Sequence, residues 1–126
     1  MKALLTNYHQ SPRKVRLVAD LIRGKSVSSA RAALKFLPKK SSPAIEKLLS
    51  SAVANARGAG FTAENLFVKT IEVNKGAVAR RFKPMARGRS AGIHKTMSIV
   101  SLELAPLAKT PARAKKSSAK KTADAK

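Results

Sequence analysis

From Lys75 to Lys95 the chain carries seven cations, Lys75, Arg80, Arg81, Lys83, Arg87, Arg89 and Lys95, and no acid. A hydrophobic core cannot hold that run, because an ionised group taken out of water without a partner costs more than its packing returns. The apolar residues within it, Val78, Phe82, Met85 and Ile93, are too sparse to offset the cost. Roughly twenty residues of structureless loop are also uncommon inside a compact domain. The segment therefore reads as an extended two-stranded ribbon over about 75–97, turning near Gly88. With about ten residues per arm at about 3.3 Å each, its tip reaches about 30 Å beyond the sheet that carries it. A lone ribbon of that length is marginal in water, so its surroundings must order it. Folded RNA suits it, since crowded phosphates need neutralising and guanidinium planes stack on unpaired bases.

The rest of the chain agrees. Lys and Arg number 27 against 6 Asp and Glu, a formal charge of +21 in 126 residues. Such self-repulsion opposes compaction unless the partner is a dense polyanion. The excess is not confined to the C-terminus. After Ala105 the composition changes to Pro, Ala, Lys, Ser and Thr with Leu107 the one sizeable apolar side chain, and seven cations against Asp124 give that stretch +6, leaving +15 for residues 1–105. A segment so poor in apolar residues cannot offset the entropy of ordering, so a single domain over 1–105 followed by a disordered basic tail over 106–126 is expected. The chain has no Cys, which closes off disulfides, thiolate metal sites and cysteine nucleophiles. No apolar run approaches the roughly 18 residues of a membrane span, and the N-terminal apolar stretch is too short for a secretory signal. A soluble protein inside the cell, with no membrane partner, is the expectation.

The first hundred residues carry element signals. Ser11 and Pro12 form a cap followed by a helix-compatible proline, and Gly24 suits a left-handed stop. Between them Val15, Val18, Ala19 and Ile22 fall on one helical face, with Leu17 and Leu21 widening it, while Arg13, Arg16, Asp20 and Arg23 project from the other side. Lys14 sits near the apolar edge, where its stem packs and its ammonium reaches outward. A second helix spans about 28–37, presenting Ala30, Ala33, Leu34 and Leu37 and stopping before Pro38. A third begins at Ser42 and Pro43, with Ile45, Leu48, Leu49, Ala52, Val53 and Ala56 on one face, and ends by Gly58 and Gly60. Residues 66–73 and 97–104 read as strands, the latter alternating Val100, Leu102 and Leu104 with Ser101 and Glu103. The apolar phase of the former slips from Leu66 and Val68 to Ile71 and Val73, which places a bulge near Lys69 or Thr70. Residues 3–8 are a weaker strand candidate. Aromatics are only 4% of the chain and Trp is absent, so the core must be small and aliphatic.

Enzyme chemistry finds no footing. Asp20, Glu46, Glu64, Glu72 and Glu103 are scattered without an acid-base pair, and His9 and His94 lack metal-ligand spacing. The glycines match neither a dinucleotide fingerprint nor a phosphate loop. No catalytic residue, metal site, cofactor or small-molecule substrate is expected. What the sequence does place together is Arg13, Lys14 and Arg16 beside the exposed amides of a helix N-terminus, a grip for anionic oxygens, with Arg23 and Lys25 extending it past the cap.

Three strings in order, SPRKVRLVADLIRGK from Ser11, SAVANA from Ser51, and RRFKPMARGR from Arg80 followed by Ile93, Lys95 and Thr96, resemble the bacterial large-subunit ribosomal protein twenty-two family, the universal ribosomal protein L-twenty-two. The likeness spans residues 3 to about 104. It implies an α+β fold, a small α/β body of three helices packed on a three-stranded antiparallel sheet, with a long protruding hairpin between the last two strands. It implies a structural constituent of the cytoplasmic large ribosomal subunit that binds ribosomal RNA and supports assembly. It further implies a hairpin running inward to the nascent-peptide exit tunnel, opposite ribosomal protein four, where it meets the nascent polypeptide and macrolide antibiotics bind nearby. By position, Met85, Ala86, Arg87, Gly88, Arg89, Ser90 and Ala91 make the tunnel-lining tip. Met85 and Gly92 stand where many members carry Arg. The competing reading is a DNA-compacting protein, because the Ala-Lys-Pro tail is linker-histone-like, but duplex DNA offers no slot for a ribbon reaching about 30 Å.

Overall fold

The computed structural model describes residues 1–107. Its elements run β1 (Lys2–Tyr8), α1 (Pro12–Ile22), α2 (Val27–Phe36), α3 (Ser42–Gly58), β2 (Leu66–Pro84) and β3 (Ser90–Pro106), with a 3₁₀ turn at Ala63–Asn65 before β2. The sheet order is β1-β3-β2, antiparallel throughout. This is the expected α+β arrangement of three helices on a three-stranded antiparallel sheet with a protruding hairpin. β3 runs through Pro106, one residue past the composition change at Ala105, and Leu107 N–H donates to Asn65 O at 2.6 Å. The disordered tail expected beyond that point lies outside the described residues.

Local signals explain most boundaries. Pro12 opens α1 after an extended Ser11, and Gly24 at φ +74° lets the chain leave it, a conformation cheap only for glycine. α2 begins one residue earlier than its apolar pattern implies, because the Ser26 hydroxyl accepts from Ser29 N–H. The slipped phase in β2 is a bulge at Lys69: Val68 pairs with Leu104 and Thr70 with Glu103, so one residue is left over and the buried set moves from Leu66 and Val68 to Ile71 and Val73.

The core lies between the helices and one face of the sheet, and its buried hydrophobic residues are all Ala, Val, Leu or Ile. α1 packs chiefly on β2, α3 on β1 and β3, and α2 on α3 and α1. Ala52 and Ala56 are fully buried on α3, and their small side chains let that helix approach the sheet closely. One expectation fails here and another holds. Leu17 and Leu21 do not widen the buried face of α1; they are 67% and 37% exposed, because α1 meets the sheet along the narrower line of Val15, Val18, Ala19 and Ile22. Phe36, near the end of α2, is 88% exposed, so the few aromatics do not build the core.

β2 is at the end of the sheet order, and its outward carbonyls need partners. The connection after α1 supplies some: Gly24 N–H donates to Val68 O at 3.0 Å, and Val68 N–H to Lys25 O at 2.9 Å. α1 supplies others through Arg16, whose Nε and Nη2 donate to Val73 O at 3.1 and 3.0 Å, and Arg23, whose Nη2 donates to Ile71 O at 3.2 Å.

Candidate nucleic-acid interface

The ribbon is a continuation of the core strands. β2 and β3 stay paired from Lys75 opposite Ser98 to Pro84 opposite Ser90, and residues 81–90 are all exposed. At the end, Met85 N–H donates to Arg89 O at 2.8 Å and Arg89 N–H to Ala86 O at 3.4 Å. Arg87 and Gly88 take φ +60° and +69°, both left-handed, the sign found in hairpin turns that match the twist of flanking strands. Gly88 does this at little cost; Arg87 does it against its Cβ. Thus the turn centres on Arg87 and Gly88, where the sequence places it.

Strand alternation distributes the charge to both sides. Arg81, Lys83 and Lys95 share one ribbon face with Ile93, while Arg80 and His94 share the other with Phe82. Phe82 lies opposite Gly92 and is 76% exposed, and Ile93 is 42% exposed. A ribbon resting on one surface would need cations on a single face. This one is cationic on both, with apolar side chains uncovered beside them, as befits a strand pair enclosed by polyanion.

At its root the ribbon is bulged and braced. Gly76 and Ala77 face Met97 alone across the ladder, and β1 slips by one residue between Leu5 and Tyr8, where Asn7 has φ +54°. A Cβ on Gly76 would sit 3.2 Å from Ile99 Cγ1 and 3.4 Å from Met97 O, so the bulge closes tightly only around glycine. Buried Ser98 donates its hydroxyl to Gln10 O at 3.0 Å.

The residues singled out in the sequence separate into groups. Arg13 is exposed on α1. Arg16 and Arg23, though also at the surface, spend donors on β2 carbonyls, and Arg23 Nη1 adds an ion pair with Asp20 Oδ1 at 3.0 Å. A helical wheel cannot reveal that, because the acceptors are 57 and 48 residues away in sequence. Lys25 is half-buried in the connection that pairs with β2. Lys75, Arg80, Arg81, Lys83, Arg87 and Arg89 are exposed along the ribbon. Lys14 and Lys95 come together at the ribbon root, lining one hollow with His9, weighed in the sequence only as a metal ligand, and Lys40, which is not among the candidate site residues of the sequence. Lys40 occupies a turn with no periodicity to flag it, and no local signal joins it to residues 26 and 55 positions away. Among the described residues, no three of His, Asp and Glu are grouped to hold a metal ion.

On the open side of the sheet charge is paired. Lys2 Nζ and Glu103 Oε1 are 2.6 Å apart. The hydrogen bond from Lys2, then its charge, holds the Glu103 carboxyl below the ordinary carboxylate range, and the same bond and charge hold Lys2 above its usual value.

Comparison with known proteins gives a consistent picture. Residues 3–105 match the family described as Ribosomal protein L22p/L17e. The chain is 50% identical over 104 residues to the large ribosomal subunit protein uL22 of Citrifermentans bemidjiense, covering 82% of this chain and 94% of that one. It is 51% identical over 102 residues to the protein of that name from Mesoplasma florum, covering 80% and 91%. With that from Lactobacillus delbrueckii subsp. bulgaricus the identity is 50% over 98 residues, covering 77% and 84%.

Proposed function

This chain belongs to the Ribosomal protein L22p/L17e family, and from that premise we propose that it is an RNA-binding component that helps assemble and organise the large ribosomal subunit. A structural, non-enzymatic ribosomal role follows from the family, with ribosomal RNA and other ribosomal proteins as partners and the cytoplasmic ribosome as its location. The finer reading divides the labour. Residues 1–105 act as one RNA-binding domain, in which Arg13, Lys14, the remaining donors of Arg16 and Arg23, and half-buried Lys25 meet surface RNA. Lys75, Arg80, Arg81, Lys83 and Lys95 neutralise phosphates along the ribbon, and the tip from Met85 to Ala91, with Arg87 and Arg89, contributes to the wall of the exit tunnel opposite ribosomal protein four. There it would touch the nascent chain and stand near macrolide antibiotics.

One observation carries this reading: a ladder-paired, acid-free ribbon with cations on both faces, rooted in a rigid body. It has the shape and charge of an element enclosed by RNA, and it buries too little of itself to be stable for its own sake. Sedimentation of a lysate expressing the tagged full chain is the direct test. The protein should travel with large-subunit particles at physiological salt and through a high-salt wash. Recovery in the free fraction, or on chromosomal DNA, would refute the proposal.

A further inference from the structure

Where the ribbon leaves the body, the loop after β1, the first turn of α1, the turn between α2 and α3, and the outgoing arm of β3 surround a half-open hollow of about 380 Å³. Its wall carries Lys14, Lys40, Lys95 and His9, each from a different stretch of chain, and no acidic residue lines it among the described residues. Gathering three ammonium groups around one concavity without a counter-charge is unfavourable in the free protein, so an anion that enters relieves repulsion as well as gaining contacts. Pockets for apolar cofactors are lined mainly by hydrophobic and aromatic side chains; this one has Met97 as its sole large apolar residue.

The hollow is also built, in that its walls are tied to one another. The Tyr8 hydroxyl, its ionisation pushed up by burial, lies 2.9 Å from Gln10 Oε1 and 3.2 Å from Lys40 O, two acceptors that share its one proton, and so bridges the loop before α1 and the turn before α3. Ser98 Oγ donates to Gln10 O at 3.0 Å and ties the same loop to β3 three residues from Lys95. The backbone positions of the cations are thus held before any ligand arrives, which lowers the ordering cost of binding.

We propose that this cleft binds two or three successive phosphates of a single RNA strand segment crossing from body to ribbon, stapling the ribbon's root to α1. Each phosphodiester carries one charge, so that number matches the ammonium groups present. The proposal rests on the RNA-binding reading above and adds to it a defined phosphate site, distinct from charge spread along the ribbon.

The test uses the full chain in two arms. In the first, Lys14→Gln, Lys40→Gln and Lys95→Gln are combined and compared with an equal-charge control, Lys35→Gln, Lys47→Gln and Lys69→Gln, all six lysines being exposed. With large-subunit ribosomal RNA, the cleft variant should lower the slope of log affinity against log salt by about 1.4–2.1, at about 0.7 per single-strand phosphate, and the control by less than about 0.7. In the second arm, pyrophosphate is titrated into wild-type protein while backbone amide resonances are followed. Shifts should concentrate at residues 9–14, 40 and 95–97 and vanish in the cleft variant. If shifts scatter over lysines generally, the cleft is refuted. If they concentrate there but the two variants lose equal slope on RNA, the site takes a free anion and the RNA assignment is overturned. Failure of the wild-type chain to bind ribosomal RNA at all would sink the functional reading instead, leaving the pyrophosphate arm to judge the cleft alone.

Discussion

β2 and β3 pass through two different environments on one continuous antiparallel ladder. Below Ser98 the helices cover one face, and Val100, Leu102 and Leu104 are essentially inaccessible. Beyond the bulge at Gly76 the ribbon becomes bare, with residues 80–90 exposed throughout, and the pairing from Val78 opposite Thr96 to Pro84 opposite Ser90 is held by backbone hydrogen bonds and the turn. The hydrogen-bond pattern is the same in both halves, so it cannot be what separates them. Apolar burial stabilises the body in isolation; the ribbon has a defined shape whose stability awaits a partner.

The difference is sharpest in a pair of substitutions. Leu102→Ala should lower the unfolding free energy of the isolated chain by about 2–5 kcal/mol, whereas exposed Phe82→Ala should change it by no more than about 0.5 kcal/mol. Denaturant titration followed by circular dichroism reads both, and comparable losses would mean that the ribbon shares the cooperative core. Next in size, Arg80→Ala, Arg81→Ala and Lys83→Ala together should leave the melting of the body unchanged yet flatten the salt dependence of RNA binding by about 2–3. An unaltered slope would argue against phosphate contacts on the ingoing arm.

Arg16→Leu probes the boundary between the two regions. It removes two donors from Val73 O, and the expected loss is about 1 kcal/mol, because the guanidinium is at the surface and water replaces part of the interaction. Thermal melts of the variant beside wild type provide the check. Deleting residues 85–90 should cost the body nothing and leave incorporation into the large subunit intact while altering macrolide sensitivity. If incorporation is abolished instead, the tip is an anchor. The smallest effect belongs to Lys2 and Glu103. Because folding depresses the Glu103 carboxyl, its contribution is complete above the unfolded value and disappears as pH falls through the folded one. The stability difference between wild type and Glu103→Gln should therefore be present at neutral pH, shrink below the ordinary carboxylate range, and be modest throughout because the Lys2 end of the pair is open to solvent.

Much of this architecture could be read residue by residue. Pro12, Gly24, the slipped phase around Lys69 and the Arg87-Gly88 turn are signals whose physics is local: a proline suited to the first helical turn, a left-handed φ, a change of strand face. The exposure of Leu17 and Leu21 could not be read that way. Periodicity establishes which residues share a helix face, but the width of that face actually covered depends on how α1 sits against β2. The same limit applied to Arg16 and Arg23, which looked like solvent-facing cations and proved to hold the edge of β2.

The acid-free run from Lys75 to Lys95 needed no structure to exclude it from a core, since charge density and the cost of desolvation suffice. Its extended form, its turn and a polyanionic partner follow from the same facts. Tertiary structure alone decided that cations occupy both ribbon faces, that bulges in β1 and β2 meet at its root, and that Lys14, Lys40 and Lys95 line one cleft. Those outcomes depend on register and on contacts between residues far apart in the chain, and neither is encoded in any window of neighbouring residues.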